Sequence, residues 1–470
     1  LWKERPTGGK DKMDVETKRR RLFGILGAGL ILALSLTPQF RTFSQIPREL
    51  RVLEGEDCEM DLGLPMSLYV RTDRDGVIQF RGEISRKGAW SIVRGALLQM
   101  QPVSQGQVDL EFRLFGVVPL RRVQVTVMPQ VEVVPGGHSI GVVLKSDGLM
   151  IVRLADINVG NGRSRCPARE AGIAMGDSVV AVDGVRVVSD FQLGGLVERA
   201  GLANRPVTLT VKRGHKEFDV QVTPALCEET HRYLLGMWVR DGTAGVGTLS
   251  FYHPESREYM ALGHVITDGD TRRPIEVQDG HIVIASVSSV EPGRRGQPGE
   301  KIGVFLTHAE VLGQIDRNTT FGIYGTLAYL PESPFYQEAI PVALAHQVKP
   351  GSAEIITVVE GNSLETFRVE IVKVQPQSRP EGKGILLRVR DPRLLQATGG
   401  IVQGMSGSPI IQDGKVVGAI THVLVNDPER GYGVFAEWMI NEAGLGKFVS
   451  VNRVEAPWAS LPFTFMPVNF

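Results

Sequence analysis

Apolar and polar residues alternate in short runs between about residues 45 and 132, as in Ser67-Leu68-Tyr69-Val70 and Arg121-Arg122-Val123-Gln124-Val125-Thr126-Val127. A period of two, punctuated by Gly, Pro and Asp, predicts strands of a small β-sandwich-like domain. No nucleophile–base pair or metal-ligand cluster stands out there, which points to a spacer or interaction module. The pattern changes near residue 133. The stretch Cys166–Gly184 reads as a short helix, a glycine turn, a strand and an Asp183-Gly184 turn. Leu193, Leu196, Val197 and Ala200 then fall at i, i+3, i+4 and i+7, one apolar helix face. From about residue 228 to 470 strand-like runs return at Gly247–Phe251, Ile282–Val287 and Val416–Ile420. Pro292–Lys301 and Gln375–Gly384, rich in Gly, Pro and charge, read as surface loops.

One run is continuous instead of periodic. Leu22–Phe40 holds 19 residues without a charge, and Leu22–Leu36 is its strongly apolar part. Crossing a bilayer takes roughly 20 such residues. Lys18-Arg19-Arg20-Arg21 abuts the run and holds that end in the cytoplasm, so everything after Arg41 is expected on the exported side of the membrane. The missing A-x-A cleavage site leans towards a retained anchor over a removed signal segment. The chain begins with Leu1, and Met13 is an alternative start.

Composition narrows the function classes. At roughly 150 residues per domain, 470 residues suggest about three domains. Charged residues make up 22% and the signs balance to a net charge of zero, so no global field recruits nucleic acid. The 54 glycines, without a collagen-like period, favour turn-rich β domains. Cys58, Cys166 and Cys227 are far apart with no CxxC pair, which argues against a zinc ribbon, an iron–sulfur site and a disulfide framework. No H-E-x-x-H spacing occurs, so a metallopeptidase is disfavoured and no metal or cofactor is expected.

The segment Cys166–Gly184 resembles the central signature of PDZ domains. Upstream, Ser139-Ile140-Gly141-Val142 stands where that family places its carboxylate-binding loop, whose successive N–H groups hold a peptide terminus. The resemblance makes the helix bearing Leu193 and Val197 the other wall of a peptide groove, within a PDZ domain over residues 133–225.

The chemistry concentrates at Gly404-Met405-Ser406-Gly407-Ser408-Pro409, followed by an apolar strand, an Asp413-Gly414 turn and a second apolar strand. A serine hydroxyl attacks only when a base takes its proton and N–H dipoles stabilise the oxyanion. The amides of Gly404 and Ser406 are the candidates for that hole. The stretch resembles the G-x-S-G-x-P loop of chymotrypsin-like serine peptidases and not the G-x-S-x-G elbow, because residue 408 is Ser and a hairpin follows. His264, in Ala261-Leu262-Gly263-His264-Val265-Ile266, lies 142 residues before Ser406. That separation suits a base on a first barrel and a serine on a second. His422, at the far end of the hairpin, is the alternative base or a wall of the substrate pocket.

Together with Gly137–Val142, Thr421–Pro428 and Gly431-Tyr432-Gly433, these motifs resemble the stage IV sporulation protein B family of serine peptidases. The resemblance covers nearly the whole chain from residue 20. It implies a mainly β chain: a basic segment 1–21, a membrane segment 22–40, a β domain 45–132, a PDZ domain and a chymotrypsin-like double β-barrel over 228–470. It points to Asp391 as the triad acid, with Asp268 and Asp270 as rivals and a turn cap beside Pro392 as the other use of Asp391. The implied enzyme is anchored or secreted, working in the space between forespore and mother cell. It cleaves the regulatory subunit of the complex that processes a sigma factor precursor, and cleaves itself. Its expected partners are that substrate, peptide segments in the PDZ groove, and the membrane. A PDZ scaffold with an inactive barrel, or a quality-control protease, are the competing readings; the latter type usually places its peptidase before the PDZ domain.

Overall fold

A computed structural model describes residues 48–446, apart from 63–67, 82–83, 88–89, 94–96, 215, 306–309 and 378. The expected basic and membrane segments, 1–21 and 22–40, lie outside the described residues. Among the described residues no helix is long and apolar enough to cross a membrane. The chain divides into two compact units, one up to Gln130 and one of Val131–Gly446.

The first unit is the expected sandwich. A six-stranded sheet runs Glu49–Leu53, Val118–Met128, Gly106–Leu114, Leu68–Thr72, Trp90–Val93, Ile84–Lys87. A second sheet has Cys58–Asp61, Leu97–Pro102 and Ile78–Arg81. The alternation seen in the sequence is a face of each strand. Val123, Val125 and Val127 are fully buried, and they join Leu98 and Met100 of the other sheet in one core.

The second unit is built on two strands that each serve two domains. Strand β1 (Ser139–Leu154) pairs through Ser139–Lys145 and again through Met150–Leu154 with the long strand β5 (Met237–Tyr252). Its far half also pairs with β2 (Ser178–Val182), which leads to β3 (Val207–Arg213) and β4 (Lys216–Val222). With α1 (Pro167–Glu170) and α2 (Asp190–Leu202) these strands enclose a core of Leu149, Ile151, Val179, Val197 and Leu209. Ser189 caps α2, its hydroxyl accepting from the Gln192 N–H at 3.2 Å. The apolar stripe of α2 faces inward at Leu193, Val197 and Ala200.

The near half of β1 belongs to a barrel. It pairs with β7 (Val277–Ile284), and β6 (Glu258–Ala261), β9 (Val311–Thr319) and β10 (Gly322–Leu327) complete a closed ring back to β5. Between β7 and β9 lies a hairpin of Ser286–Glu291 and β8 (Glu300–Val304). A second closed barrel contains β11 (Gly351–Val358), β12 (Leu364–Val374), β13 (Ile385–Val389), β14 (Pro409–Gln412), β15 (Lys415–Leu424) and β16 (Asp427–Phe435). The helix α3 (Pro392–Thr398) follows β13, and α4 (Ala436–Ala443) closes the unit. The Asp183-Gly184 and Asp413-Gly414 turns stand where the sequence places them, each linking an antiparallel pair.

One expectation is corrected here. Ser139, Ile140, Gly141 and Val142 are not a carboxylate-binding loop but part of a central barrel strand. Ile140–Val142 pair with Gly247–Gly245 of β5 on one edge and with Ile284–Ile282 of β7 on the other. A strand with neighbours on both edges has its amides committed to the ladder and holds none for a ligand.

Asp177, fully buried, is held by a two-pronged bond from Arg213, Nε to Oδ1 and Nη2 to Oδ2, both at 2.7 Å. Removing the cation strands a buried carboxylate, a loss of roughly 3 kcal/mol or more in a sealed site and less here because the arginine is part-exposed. Arg213→Ala is expected to destabilise the unit by about 2 kcal/mol in denaturant unfolding. An unchanged midpoint would show that water replaces the guanidinium without cost.

Candidate active site

A cavity of about 850 Å³ is lined by residues of both barrels, among them His264, Ser406 and His422. The serine loop connects α3 to β14, and its shape is set by backbone contacts. Gly404 has φ +89° and Gly407 φ +99°, a region closed to most side chains. A Cβ at Gly404 would stand 3.0 Å from Lys301 Cβ, and one at Gly407 would stand 2.0 Å from the Thr248 carbonyl oxygen. Both glycines of the motif are therefore required by strain and by space.

The loop's carbonyls are tied behind it. The Gln403 carbonyl accepts from the Lys301 N–H at 2.9 Å, and the Met405 carbonyl accepts from the Ser408 N–H at 2.9 Å. In a trans peptide the C=O and the following N–H point in opposite directions. Fixing those two carbonyls therefore turns the Gly404 and Ser406 N–H groups the other way. Neither N–H bonds to another group among the described residues. Strand β5 completes the clamp: Thr248 Oγ1 donates to the Gly404 carbonyl at 2.7 Å and the Thr248 N–H to the Ser406 carbonyl at 3.0 Å. Two free, fixed donors, one on the serine itself and one two residues before it, are the arrangement that an oxyanion hole requires.

His264 enters from the other barrel. After β6 the chain passes through Leu262, φ +69°, and Gly263, φ +71°. A Cβ at Gly263 would press on Thr421 Cγ2 at 2.9 Å, so this turn sits tightly against β15. The His264 Nδ1–H donates to the Val265 carbonyl at 3.0 Å. A carbonyl can only accept, so the proton is on Nδ1 and Nε2 keeps its lone pair. Burial lowers the pKa of His264 from its ordinary 6.5, which keeps the ring neutral and able to take a proton. The Ser406 hydroxyl donates to the Thr421 carbonyl at 2.9 Å instead of to the histidine.

His422 lies with its ring centroid 5.4 Å from that of His264. Partial burial, His264 and the Lys383 ammonium push its pKa down to about 4. It is a neutral wall of the cavity.

The structure gathers Ser406, Gly404 and His264 but does not bring Asp391 to them. Asp391 is the N-cap of α3, with Pro392 in the first turn. One carboxylate oxygen accepts from the Arg393 N–H at 3.0 Å, the other from the Arg368 N–H at 3.3 Å, and the Arg393 side chain closes on both. Arg393 and these N–H groups hold its pKa below the usual 3.8. The rivals are equally occupied: Arg240 donates to Asp268 and to Asp270, each at 2.8 Å. His264 takes its orientation from the Val265 carbonyl.

Leu193 and Val197 are 6% and 4% exposed and sit in the core behind α2. The open edge lies elsewhere. Over Met237–Gly242, β5 has β1 on one side and no strand on the other among the described residues. Tyr233, just before it, packs on Gly201 of α2 and donates its N–H to Glu198 at 2.9 Å. Further along the same strand, Thr243–Val246 line the cavity.

Residues 231–440 match the model of the SpoIVB peptidase S55 family, and residues 139–223 match the PDZ domain model. No curated protein matches the chain significantly. Among solved structures, the chain is similar to the active form of the Rv3671c protease from M. tuberculosis, at 16% identity and TM-score 0.24, over 43% of this chain and 74% of that one. An inactive form of the same protease aligns at 14% identity and TM-score 0.24, over 43% and 84% of the two chains.

Sequence reasoning did not find Thr248 or Lys301. Thr248 sits in an ordinary strand, and Lys301 closes a stretch read as a surface loop, although it is only 2% exposed. Thr248→Val keeps the shape but removes the donor to Gly404, and is expected to lower kcat about tenfold with KM little changed, because a loosened oxyanion donor is a fraction of the 10²–10³ lost when one is deleted. A kcat within twofold of the wild type would show that the loop holds its shape without Thr248. Asp391→Ala is expected to cost about 1–2 kcal/mol in thermal or denaturant unfolding, through loss of the cap. An unchanged stability beside a 10²–10⁴ drop in turnover would instead assign its carboxylate to the histidine.

Proposed function

We propose that this serine peptidase, whose residues 231–440 match the SpoIVB peptidase S55 model and 139–223 the PDZ model, uses Ser406 as its nucleophile, His264 as its general base and the Gly404 and Ser406 amides as its oxyanion hole. The single observation that carries this assignment is the pair of free N–H groups, of Gly404 and of Ser406 itself, turned away from the tethered Gln403 and Met405 carbonyls.

The chemistry follows from those positions. A substrate carbonyl enters between the two N–H groups. The Ser406 hydroxyl leaves the Thr421 carbonyl and gives its proton to His264 Nε2 as its oxygen attacks the carbonyl carbon. Negative charge collects on the substrate oxygen facing Gly404 and Ser406. His264 then returns the proton to the leaving amine, and water repeats the sequence on the acyl-enzyme.

The substrate class is an extended segment of a protein. Strand β5 offers an unpaired edge from Met237 past the cavity-lining Thr243–Val246, and an extended peptide adds to such an edge by main-chain hydrogen bonds. The PDZ helix α2 stands beside the start of that edge. One strand therefore suits both recognition of a segment and its presentation to Ser406. The family likeness supports a finer reading: an exported or membrane-anchored endopeptidase that cleaves the exported part of a regulatory membrane protein, and itself, in signalling during sporulation that leads to processing of a sigma factor precursor.

Two measurements test this. Ser406→Ala is expected to abolish cleavage of a membrane-protein ectodomain and self-processing, a loss of about 10⁴–10⁶, with unchanged unfolding. Activity within tenfold of wild type would displace Ser406. In hydrogen exchange, a peptide substrate bound to Ser406→Ala is expected to protect those amides of Thr243–Val246 that face away from β1. Protection confined to other strands would place the substrate elsewhere.

A further inference from the structure

Lys301 is a charged residue type in a place that water does not reach. It is 2% exposed, and its Nζ donates to Thr357 Oγ1 at 2.7 Å, a hydroxyl that is itself fully buried on β11. It makes no ion pair among the described residues. Opposite it on the hairpin stands Val290, and the neighbouring carboxylates Glu291 and Glu300 are exposed. On β12, Glu365 is in register with Thr357, but its carboxylate lies 3.4 Å from Arg393. The serine loop contributes only Gln403 and the Cα of Gly404, against which the lysine stem rests. Burial alone pushes its pKa down from 10.5 to about 7.

The same residue makes the bond that orients the oxyanion hole. Its N–H holds the Gln403 carbonyl, while the Gln403 N–H donates back to Gly299 at 2.8 Å. We propose that Lys301 is a positioning residue for peptide hydrolysis: its side chain, anchored on Thr357, fixes the segment of β8 whose backbone turns the Gly404 N–H towards the substrate. This rests on Ser406 as the nucleophile. The neutral amine fits its site. A proton added there creates a charge with no counter-ion and one hydroxyl to solvate it, so the segment shifts towards water and the Gly404 N–H loses its aim. The hole is thus competent on the alkaline side of the lysine's ionisation.

The test is the pH dependence of kcat on the whole exported chain, with fluorophosphonate labelling of Ser406 run in parallel. Wild type is expected to lose kcat as pH falls through about 7. Lys301→Met keeps the stem and removes the amine. It is expected to lose that limb, leaving the one belonging to His264 below 6.5, and to turn over about tenfold more slowly at pH 8 with unchanged KM, the scale of a misaimed oxyanion donor. Thr357→Val leaves the ammonium without its acceptor and is expected to move the limb to lower pH, which serves if Lys301→Met does not fold. The folded state binds this proton less tightly than the unfolded chain, so wild-type stability should rise with pH between about 7 and 10.5, and Lys301→Met should abolish the rise. That stability effect reports burial alone; the kcat limb reports positioning. A wild-type limb and kcat retained within twofold in Lys301→Met would overturn the proposal. Failure of wild-type Ser406 to label would overturn the nucleophile assignment separately.

Discussion

The chemistry proposed for this chain depends on the way its serine loop is fastened, by β5, by β8 and by its own backbone. A loop rich in glycine has little shape of its own, and the side chains of Met405 and Ser406 do not supply one. Shape comes from four bonds: Thr248 holds the Gly404 and Ser406 carbonyls, Lys301 holds that of Gln403, and Ser408 holds that of Met405. With the carbonyls spoken for, the N–H groups have one direction left. The oxyanion hole proposed for these two N–H groups is thus preorganised by peptide planarity.

The strand that does this also reaches out of the barrel. β5 is 16 residues long; its first residues pair with the PDZ half of β1, its middle lines the cavity, and Thr248 grips the loop. Its ladder with β1 is irregular between Lys145 and Met150 and again between Ile151 and Arg153, so the barrel half and the PDZ half of the pair each set their own register. Domains linked by a flexible tether exchange information through encounter. Here they share covalent backbone within one sheet, and Arg240, which clamps Asp268 and Asp270, adds a side-chain link from the PDZ end of β5 to the loop after His264.

What could be read from the sequence was local. The Asp183-Gly184 and Asp413-Gly414 turns, the inward stripe of α2 and the glycine-flanked serine are each determined within a few residues, and each stands where expected. Readings that depended on distant partners failed or were missed. Ser139–Val142 looks like a loop able to hold a carboxylate until β5 and β7, both more than 90 residues away, pair with its two edges. Lys301 looks solvated among glycine, proline and charge until β11 brings Thr357 to its amine. Asp391 shows the opposite case. Its neighbour Pro392 is a local sign of a helix start, and the helix is there; the role drawn from family likeness asked for a contact with His264 that this geometry does not make.

The most direct measurement is a crystal structure of the chain with a peptidyl boronate or phosphonate bound to Ser406. The inhibitor oxygen should lie within hydrogen-bond reach of the Gly404 and Ser406 N–H groups, with His264 Nε2 facing Oγ and the peptide paired to Thr243–Val246. An inhibitor oxygen bound by other donors, with the Gln403–Gly404 peptide flipped away from Lys301, would show that tethered carbonyls do not set an oxyanion hole.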